Sequence, residues 1–367
     1  MIPAILFIFL VFVFRLIRNI FFFQTPLIIK KGVLGQFNFF MPNSSIHHPL
    51  FLIPSYKDYL WGGQQIVNIF NRNVELSICA ESWEVSDRHE GHSYIKNGEH
   101  QGRALKELID EKPFLFGFKK FPLLIKLIDA ADILSIQVHP SVGAAKKYGG
   151  EPKSEMWHIL EAEEGAQIYL GLNQNLSPKE ILQAIERGNL KDFMHAMHVK
   201  KGETYFIPGG LIHSIGKGCL IYEVQQNSNT TYRLHDWGRL DKTGKGRELH
   251  IEDALKVINP SQKYVDELID KPIFNQEGLR YQKLIQSDFF TFNKLFLEKA
   301  FSLPSSDICR IYFVMGGDLM IKSHRENFMV LKGSSFIVPR SVEGLQLTPL
   351  GINVEVLETI PSFEKPI

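Results

Sequence analysis

Short runs of β-forming residues, separated by glycine, proline and asparagine, occupy most of this 367-residue chain from His48 onward. Many short strands with turn residues between them predict a sandwich or a barrel and argue against an alternating βαβ sheet. We therefore expect a mainly β protein. The predicted strands include residues 123–128, 133–138, 167–172, 204–207, 220–224, 309–315 and 335–338.

Helical signals are few. Ser177 and Glu180 form a capping box around Pro178 and predict a helix that ends at Gly188. A second helix is expected over residues 190–198, so a small helical insertion is predicted at about residues 175–199. A further helix is expected over residues 251–258, before Pro260.

A second strand-rich block follows a polar stretch at residues 260–270. Its segment 331–339 parallels segment 199–208: each has a glycine turn (Gly333 and Gly202), increasingly apolar residues and a closing proline. This similarity predicts an internal repeat of a small barrel. We expect an extension over residues 1–45, a first barrel over 46–259 and a second barrel over 260–367.

The N-terminal extension begins with an uninterrupted apolar run at residues 4–14, followed by Arg15 and Arg18. The charges follow the apolar run and no cleavage site is present, so the segment does not fit a secretory signal. It is also short for a membrane span, which needs roughly 20 apolar residues. Three explanations stay open: translation starting at Met41, a membrane anchor over residues 1–23, or a packed extension.

Charge and cysteine content exclude several classes of protein. Lys and Arg number 41 and Asp and Glu number 40, so a net charge of +1 predicts no nucleic-acid partner and no attraction to an anionic membrane. The isolated cysteines Cys79, Cys219 and Cys309 predict neither a disulfide framework nor a thiolate zinc site. We expect a reduced, cytoplasmic protein, and the sequence leaves its oligomeric state open.

The most specific local pattern joins Gly202, Pro208, Gly210 and His213, with five, one and two residues between them. Chance would produce this spacing about 0.004 times at the residue frequencies of the chain. In a turn–strand–turn context the glycines permit tight turns and the strand directs the histidine into a barrel.

A second pattern places Ser135, Gln137 and His139 on one face of a strand, because strand side chains alternate. This polar face interrupts an apolar barrel wall, and burial of polar groups is unfavourable unless a partner such as a metal satisfies them.

The third element is Glu155, which follows Lys153 and precedes an apolar run. One amide oxygen, two imidazoles and one carboxylate suit Zn²⁺ and leave room for water or substrate. With a single carboxylate such a centre keeps positive charge and can polarise a sugar oxygen.

Taken together, several motifs resemble type I mannose-6-phosphate isomerase in its shorter bacterial form, a member of the cupin superfamily. They are residues 61–63 (WGG), 81–86 (ESWEVS), 135–140 (SIQVHP), 153–160 (KSEMWHIL), 208–218 (PGGLIHSIGKG) and 222–233 (YEVQQNSNTTYR). The resemblance extends from about Pro49 to near the C-terminus. It implies two cupin-type, jelly-roll barrels, of which we expect the second to be metal-free.

The resemblance also implies one zinc ion per chain, a sugar-phosphate substrate and the interconversion of mannose 6-phosphate and fructose 6-phosphate through an enediol. The implied zinc ligands are Gln137, His139, Glu155 and His213. Arg233 is the implied catalytic arginine, with Ser135 and Lys153 beside it in the substrate pocket. We also expect Lys153 to take part in catalysis as the proton-transfer base.

Some residues depart from the family pattern. Asn229 stands where the family often has aspartate, and nothing in the spacing shows that Asp236 replaces it. Arg88 and His89 lie in a loop where either phosphate contact or solvation is conceivable. The rival reading is a catalytically inactive bicupin that binds sugars or regulates. Convergence of Arg233 and Lys153 on one pocket would discriminate against it.

Overall fold

The computed structural model describes residues 46–241, 243–260, 272–276 and 278–362. The predicted extension over residues 1–45 and its three explanations lie outside the described residues. So does segment 261–271, where the second block was expected to begin, and the domain boundary there stays a prediction. Among the described residues, no helix combines the length and the apolar character needed to cross a membrane.

Antiparallel strands dominate the chain. The strands before residue 240 are β1 (Leu50–Ile53), β2 (Ser55–Lys57), β3 (Glu81–Val85), β4 (Tyr94–Ile95), β5 (Leu123–Ala130), β6 (Ile136–Val138), β7 (Glu155–Ala162), β8 (Gln167–Leu172), β9 (Met194–His198), β10 (Thr204–Ile207), β11 (His213–Ile215), β12 (Cys219–Gln226) and β13 (Tyr232–His235). The later strands are β14 (Ile273–Gln276), β15 (Leu279–Gln286), β16 (Phe290–Leu297), β17 (Phe301–Ser302), β18 (Arg310–Gly316), β19 (Leu319–Lys322), β20 (Asn327–Val330), β21 (Ser335–Val338), β22 (Gln346–Pro349) and β23 (Val354–Pro361).

The helices among the described residues are short and lie between strands of the first part of the chain. They are α1 (Gln65–Phe70), α2 (Leu105–Glu111), α3 (Val142–Tyr148), α4 (Pro178–Glu186) and α5 (Ile251–Val257). Three 3₁₀ turns, Gly98–His100, Pro113–Leu115 and Leu190–Phe193, accompany them.

Two sheets form the N-terminal part. One has the strand order β10-β7-β12-β5-β3-β2, and the other has the order β13-β6-β11-β8-β9. Apolar side chains of both sheets, such as Trp157 and Ile159 on β7 and Ile168 and Leu170 on β8, share one hydrophobic cluster. Burial of this shared apolar surface stabilises the pairing of the two sheets.

The C-terminal part builds an eight-stranded sheet, β14-β15-β16-β23-β18-β21-β1-β4, and a four-stranded sheet, β17-β22-β19-β20. Strand β1 joins the eight-stranded sheet through β21, where Leu50 lies opposite Ile337. The back of the six-stranded sheet packs against this part as well: Tyr222 stacks on Phe292 with ring centroids 5.9 Å apart.

The mainly β prediction is confirmed. The expected strands 167–172, 204–207 and 335–338 coincide with β8, β10 and β21. The glycine turns of the proposed repeat also adopt similar backbones, because Gly202 (φ +91°) and Gly333 (φ +84°) both precede their strands in the left-handed region.

One helix prediction is wrong in its second half. Helix α4 begins at the predicted capping box, in which Ser177 accepts from the Glu180 amide, but residues 190–198 form a 3₁₀ turn followed by β9. The apolar residues of this segment have helical spacing, yet β8 offers a free edge with which β9 pairs, Gln167 opposite His198. Tertiary pairing overrides local propensity here.

Candidate active site

A row of three polar side chains crosses the five-stranded sheet. Gln137 lies at the centre of β6, directly opposite His213 on β11 and Arg233 on β13. Ile136 and Val138 point to the other face and pack in an apolar cluster, as the alternation of strand side chains requires. The predicted polar face is confirmed for Gln137, whereas Ser135 and His139 flank the observed strand.

Two turns bring His139 to the row. The Gly210 amide donates to the His139 carbonyl with a length of 2.8 Å. A Cβ at Gly209 would come within 2.7 Å of the Pro140 carbonyl oxygen, so only glycine permits this close approach. Glu155 is the first residue of the neighbouring strand β7, opposite Ile207 on β10.

His139, Glu155 and His213 converge, and their ligand atoms all lie within 4.8 Å of one another. The two Nε2 atoms are 3.2 Å apart. Glu155 Oε2 lies 3.5 Å from His139 Nε2, and Glu155 Oε1 lies 3.4 Å from His213 Nε2. All three side chains are buried, so this arrangement is shielded from bulk water.

Hydrogen bonds to the backbone define the tautomer of each histidine. His139 Nδ1 donates to the Thr230 carbonyl and His213 Nδ1 donates to the Leu211 carbonyl, both at 2.8 Å. Burial lowers the pKa of His213 to about 4, and burial together with the nearby Lys153 and His213 lowers the pKa of His139 well below its usual value. Both rings are neutral at pH 7, so both Nε2 atoms present lone pairs to the same space.

Glu155 is paired with Lys153, whose Nζ lies 2.8 Å from Oε2 and 3.2 Å from His139 Nε2. Burial raises the pKa of the Glu155 carboxyl above its usual range, while Lys153 opposes that rise. Glu155 Oε1 has no hydrogen-bond partner among the described residues. A buried carboxylate oxygen and two imidazole lone pairs directed at one point are chemically suited to a divalent cation.

Gln137 connects this cluster with Arg233. Its Nε2 donates toward His213 Nε2 at 3.3 Å, and its Oε1 accepts from Ser135 Oγ at 3.2 Å. Arg233 Nε donates to the same Ser135 hydroxyl at 3.3 Å. The two orientations of a side-chain amide differ only in the exchange of oxygen and nitrogen, and rotation would direct the Gln137 oxygen to the cluster.

A cavity of about 480 Å³ opens beside the row. Ser135, Gln137, Lys153 and Arg233 all line it, so the structure brings these sequence-predicted residues to one place. Residues 229–232, Tyr59 and Trp61 line the same cavity. Lys153 and Arg233 therefore both face this cavity.

Sequence reasoning missed a second group of charges on the cavity floor. Lys126 lies between Glu81 Oε2 at 3.4 Å and Glu223 Oε1 at 3.6 Å. Trp83 Nε1 donates to Glu81 and Trp157 Nε1 donates to Glu223. The available signal was a single lysine inside the apolar run of β5, where an unpaired buried charge would be costly.

The other polar residues noted in the sequence lie away from the cavity or are engaged elsewhere. Arg88 pairs with Glu90 at 2.9 Å and Glu151 at 3.1 Å, and it does not line the cavity. Both oxygens of Asp236 accept hydrogen bonds from Arg247 or Arg239, so Asp236 is not free to act as an acid or base.

Asn229 does reach the cavity wall, and its Nδ2 donates to Glu90 Oε1 at 3.2 Å. His195 and His198 lie within the segment 190–198 that was expected to be helical, and both are exposed on strand β9. Neither histidine contributes to the His139–Glu155–His213 cluster.

Comparison with known proteins agrees with this geometry. The family model for the catalytic domain of type I phosphomannose isomerase matches residues 50–168, and that for the mannose-6-phosphate isomerase cupin domain matches residues 280–352. A probable mannose-6-phosphate isomerase of Bacillus subtilis is 36% identical over 298 residues, which cover 80% of this chain and 93% of that protein. The mannose-6-phosphate isomerase of Streptococcus mutans is 34% identical over 308 residues, covering 81% of this chain and 94% of that protein.

Solved structures show the same relationship. The crystal structure of the mannose 6-phosphate isomerase from Bacillus subtilis has a TM-score of 0.79 at 29% identity and covers 85% of this chain and 99% of that chain. The Salmonella typhimurium mannose 6-phosphate isomerase, at 15% identity and a TM-score of 0.66, shares the fold over 87% of this chain and 100% of its own. This chain therefore belongs to the type I phosphomannose isomerase family of mainly β cupin enzymes.

Proposed function

We propose that this protein is a zinc-dependent aldose–ketose isomerase that interconverts mannose 6-phosphate and fructose 6-phosphate through an enediol. The convergence of His139, Glu155 and His213 within 4.8 Å, beside a polar cavity that Lys153 and Arg233 line, is the observation that carries the proposal. The names of the relatives, which are isomerases of mannose 6-phosphate, support the same pair of substrates.

The residues fit a metal ion. Two Nε2 lone pairs only 3.2 Å apart repel one another unless a proton or a cation lies between them, and Glu155 Oε1 has no hydrogen-bond partner in the described part of the chain. Nitrogen and carboxylate donors in this number favour Zn²⁺ over the all-oxygen sites of Mg²⁺ or Ca²⁺. We propose Gln137 as the fourth ligand, through Oε1 after rotation of its amide. When bound, the zinc ion supplies a Lewis acid that polarises substrate oxygens.

The reaction requires two hydrogen transfers. In the forward direction the hydrogen on C2 moves to C1, and the proton of the C2 hydroxyl moves to the C1 oxygen. We propose that Lys153 carries the proton between the carbons, because its Nζ lies at the cavity wall directly beside the cluster, 3.2 Å from His139 Nε2.

Arg233 is proposed to stabilise the negative charge that develops on the enediolate. Its Nε donates to Ser135 Oγ and its Nη1 donates to the Glu248 carbonyl at 2.8 Å. These two hydrogen bonds hold the guanidinium in one orientation before substrate binds, which is the condition for electrostatic stabilisation of a transition state. Ser135 therefore acts as a substrate-pocket residue that positions Arg233.

The proposal is tested by purifying the full chain, measuring bound metal by mass spectrometry and following mannose 6-phosphate turnover with and without a chelator. We expect about one zinc per chain and loss of turnover on zinc removal, restored by added zinc. His139→Gln should lose metal and activity, whereas His195→Gln, which changes an exposed histidine on β9, should keep both. Undiminished turnover in fully metal-free protein would contradict zinc dependence.

A second measurement addresses Lys153 alone. Lys153→Ala should abolish exchange of the C2 hydrogen with solvent while zinc content is retained, since the metal-binding side chains are unchanged. Retained exchange would refute the role of Lys153. Binding of mannose 6-phosphate without any turnover by zinc-loaded wild-type protein would instead favour the inactive bicupin.

A further inference from the structure

We propose that Arg247 binds the phosphate group of the substrate and that Asp236 holds its guanidinium in place. This inference deepens the proposed function, on which it rests, by assigning the anionic end of the substrate to one side of the cavity. Arg247 lines the cavity together with Arg233, and none of the sequence motifs identified it.

The register of the sheet gives the direction in which the substrate extends. His213, Gln137 and Arg233 lie opposite one another on three adjacent strands, so about 10 Å separates the first backbone from the third. Segment 248–250 lies beside β13 on its other edge, because the His250 amide donates to the Arg233 carbonyl at 2.8 Å. Arg247 immediately precedes that segment, which lies on the edge of β13 away from Gln137.

This spacing matches a hexose phosphate. The extended distance from C1 to phosphorus is about 9 Å from standard bond lengths. With C1 and C2 beside Lys153 and the histidine cluster, the phosphate falls on the side of the cavity where Arg233 and Arg247 lie. Arg233 then stands between the reacting carbons and the phosphate.

The distribution of charge favours an anion at the same place. At the floor, Lys126 contacts Glu81 and Glu223, so its charge is compensated. Near β13, none of the ion pairs found among the described residues involves Arg233. Arg247 and Arg239 share the carboxylate of Asp236, and Arg239 also lies 3.7 Å from Asp132 Oδ2. Three guanidinium groups and two carboxylates leave an excess of positive charge, which attracts a phosphate group.

Asp236 explains how Arg247 is oriented. Arg247 Nε donates to Asp236 Oδ2 at 2.8 Å, and its Nη2 donates to Oδ1. Asp236 is itself only 6% exposed. This two-point contact uses one edge of the planar guanidinium and leaves Nη1, which donates to none of the described residues, for a ligand.

The test uses the zinc-loaded full chain and the variant Arg247→Met. We expect the Michaelis constant for mannose 6-phosphate and the inhibition constant of inorganic phosphate each to rise about 10- to 100-fold, the effect of losing a charge-assisted contact. The turnover number at saturation should change less than threefold. Arg247→Lys should give constants between those of the wild type and Arg247→Met, because lysine keeps the charge but cannot donate two parallel hydrogen bonds to the phosphate.

Two controls separate specific contact from other effects. Lys245→Met removes an equal charge from an exposed position two residues away and should leave both constants within twofold of wild type. Arg239→Met removes the other arginine partner of Asp236 and should leave both constants within threefold of wild type. If Arg247→Met and Arg247→Lys both keep wild-type constants, or if Lys245→Met reproduces their effect, the inference is overturned. If wild-type zinc-loaded protein fails to isomerise mannose 6-phosphate, the proposed function fails instead.

Discussion

Lys126 is a buried cation between two carboxylates. Its replacement by methionine tests how much this lysine contributes to stability by compensating their negative charge. The side chain is 6% exposed, and its Nζ lies 3.4 Å from Glu81 Oε2 and 3.6 Å from Glu223 Oε1. Removing one member of a buried ion network costs about 3–5 kcal/mol, because the remaining charge is left uncompensated. Since the cavity admits water to this floor, we expect a loss of about 3 kcal/mol in the free energy of unfolding at pH 7.

The loss should depend on pH in a defined direction. In the wild type, burial acts to raise the pKa of Glu223, but Lys153 and Lys126 outweigh it and the pKa is lowered. Without Lys126 the folded-state pKa of Glu223 should rise, because one of the two lysines that lower it is removed. A group with a raised folded-state pKa stabilises the fold at low pH, and this contribution is lost as the pH increases through that pKa. The destabilisation should therefore be small at about pH 4 and largest at about pH 7.

Equilibrium unfolding in urea at both pH values measures this effect. The double variant Lys126→Met with Glu223→Gln should recover part of the stability at neutral pH, because one uncompensated buried charge is removed. Lys201→Met is the matched control, since Lys201 and its partner Glu161 are exposed and such pairs contribute about 0–1 kcal/mol. A loss below about 1 kcal/mol, or one that is equal at both pH values, would refute the reasoning.

Three further predictions concern the metal cluster, a buried histidine and the cavity wall. Zinc at about a thousand times its dissociation constant should stabilise the metal-free protein by about 4 kcal/mol, measured by thermal unfolding, and Glu155→Gln should abolish this stabilisation. An equal stabilisation of the variant by zinc would contradict the proposed ligand set. Burial lowers the pKa of His158 to about 3, so the neutral ring contributes about 4 kcal/mol to the free energy of unfolding above pH 6.5, and this contribution is lost as the pH falls toward 3. Urea unfolding of His158→Gln at several pH values should show a correspondingly smaller loss of stability in acid. A pH profile identical to that of the wild type would exclude this role of His158. Asn229→Asp should cost about 1 kcal/mol at neutral pH, measured by thermal unfolding, because the new carboxylate faces Glu90; unchanged or increased stability would show that the contact is unimportant.

The convergence of His139, Glu155 and His213 was predictable from local strand and turn patterns for the two histidines and from the family resemblance for Glu155. The glycine turns and the short strand before His213 constrain where that side chain points, and the alternation of β6 places Gln137 on the cavity side. These signals act over fewer than about a dozen residues, which is the range at which backbone geometry translates directly into side-chain direction.

The cavity floor was not predictable in the same way. Lys126 meets Glu223 because β5 and β12 are neighbours in a particular register, with these two residues directly opposite. The residues are nearly a hundred positions apart along the chain, and no local pattern specifies that pairing. The placement of β1 in the eight-stranded sheet was equally unpredictable, because it also depends on a long-range strand pairing, that of Leu50 with Ile337.

Ser135 and Gln137 connect the His139–Glu155–His213 cluster with the arginine side of the cavity. In the described structure Arg233 Nε donates to Ser135 Oγ, Ser135 donates to Gln137 Oε1, and Gln137 Nε2 faces His213. Under the proposed ligand set the amide of Gln137 is reversed, so its Nε2 would face Ser135 and the hydroxyl would accept from both neighbours. A hydroxyl oxygen has two lone pairs and can do this, whereas a methyl group cannot. Serine at position 135 is thus compatible with both amide orientations, which keeps Arg233 anchored whether or not Gln137 turns toward the histidines.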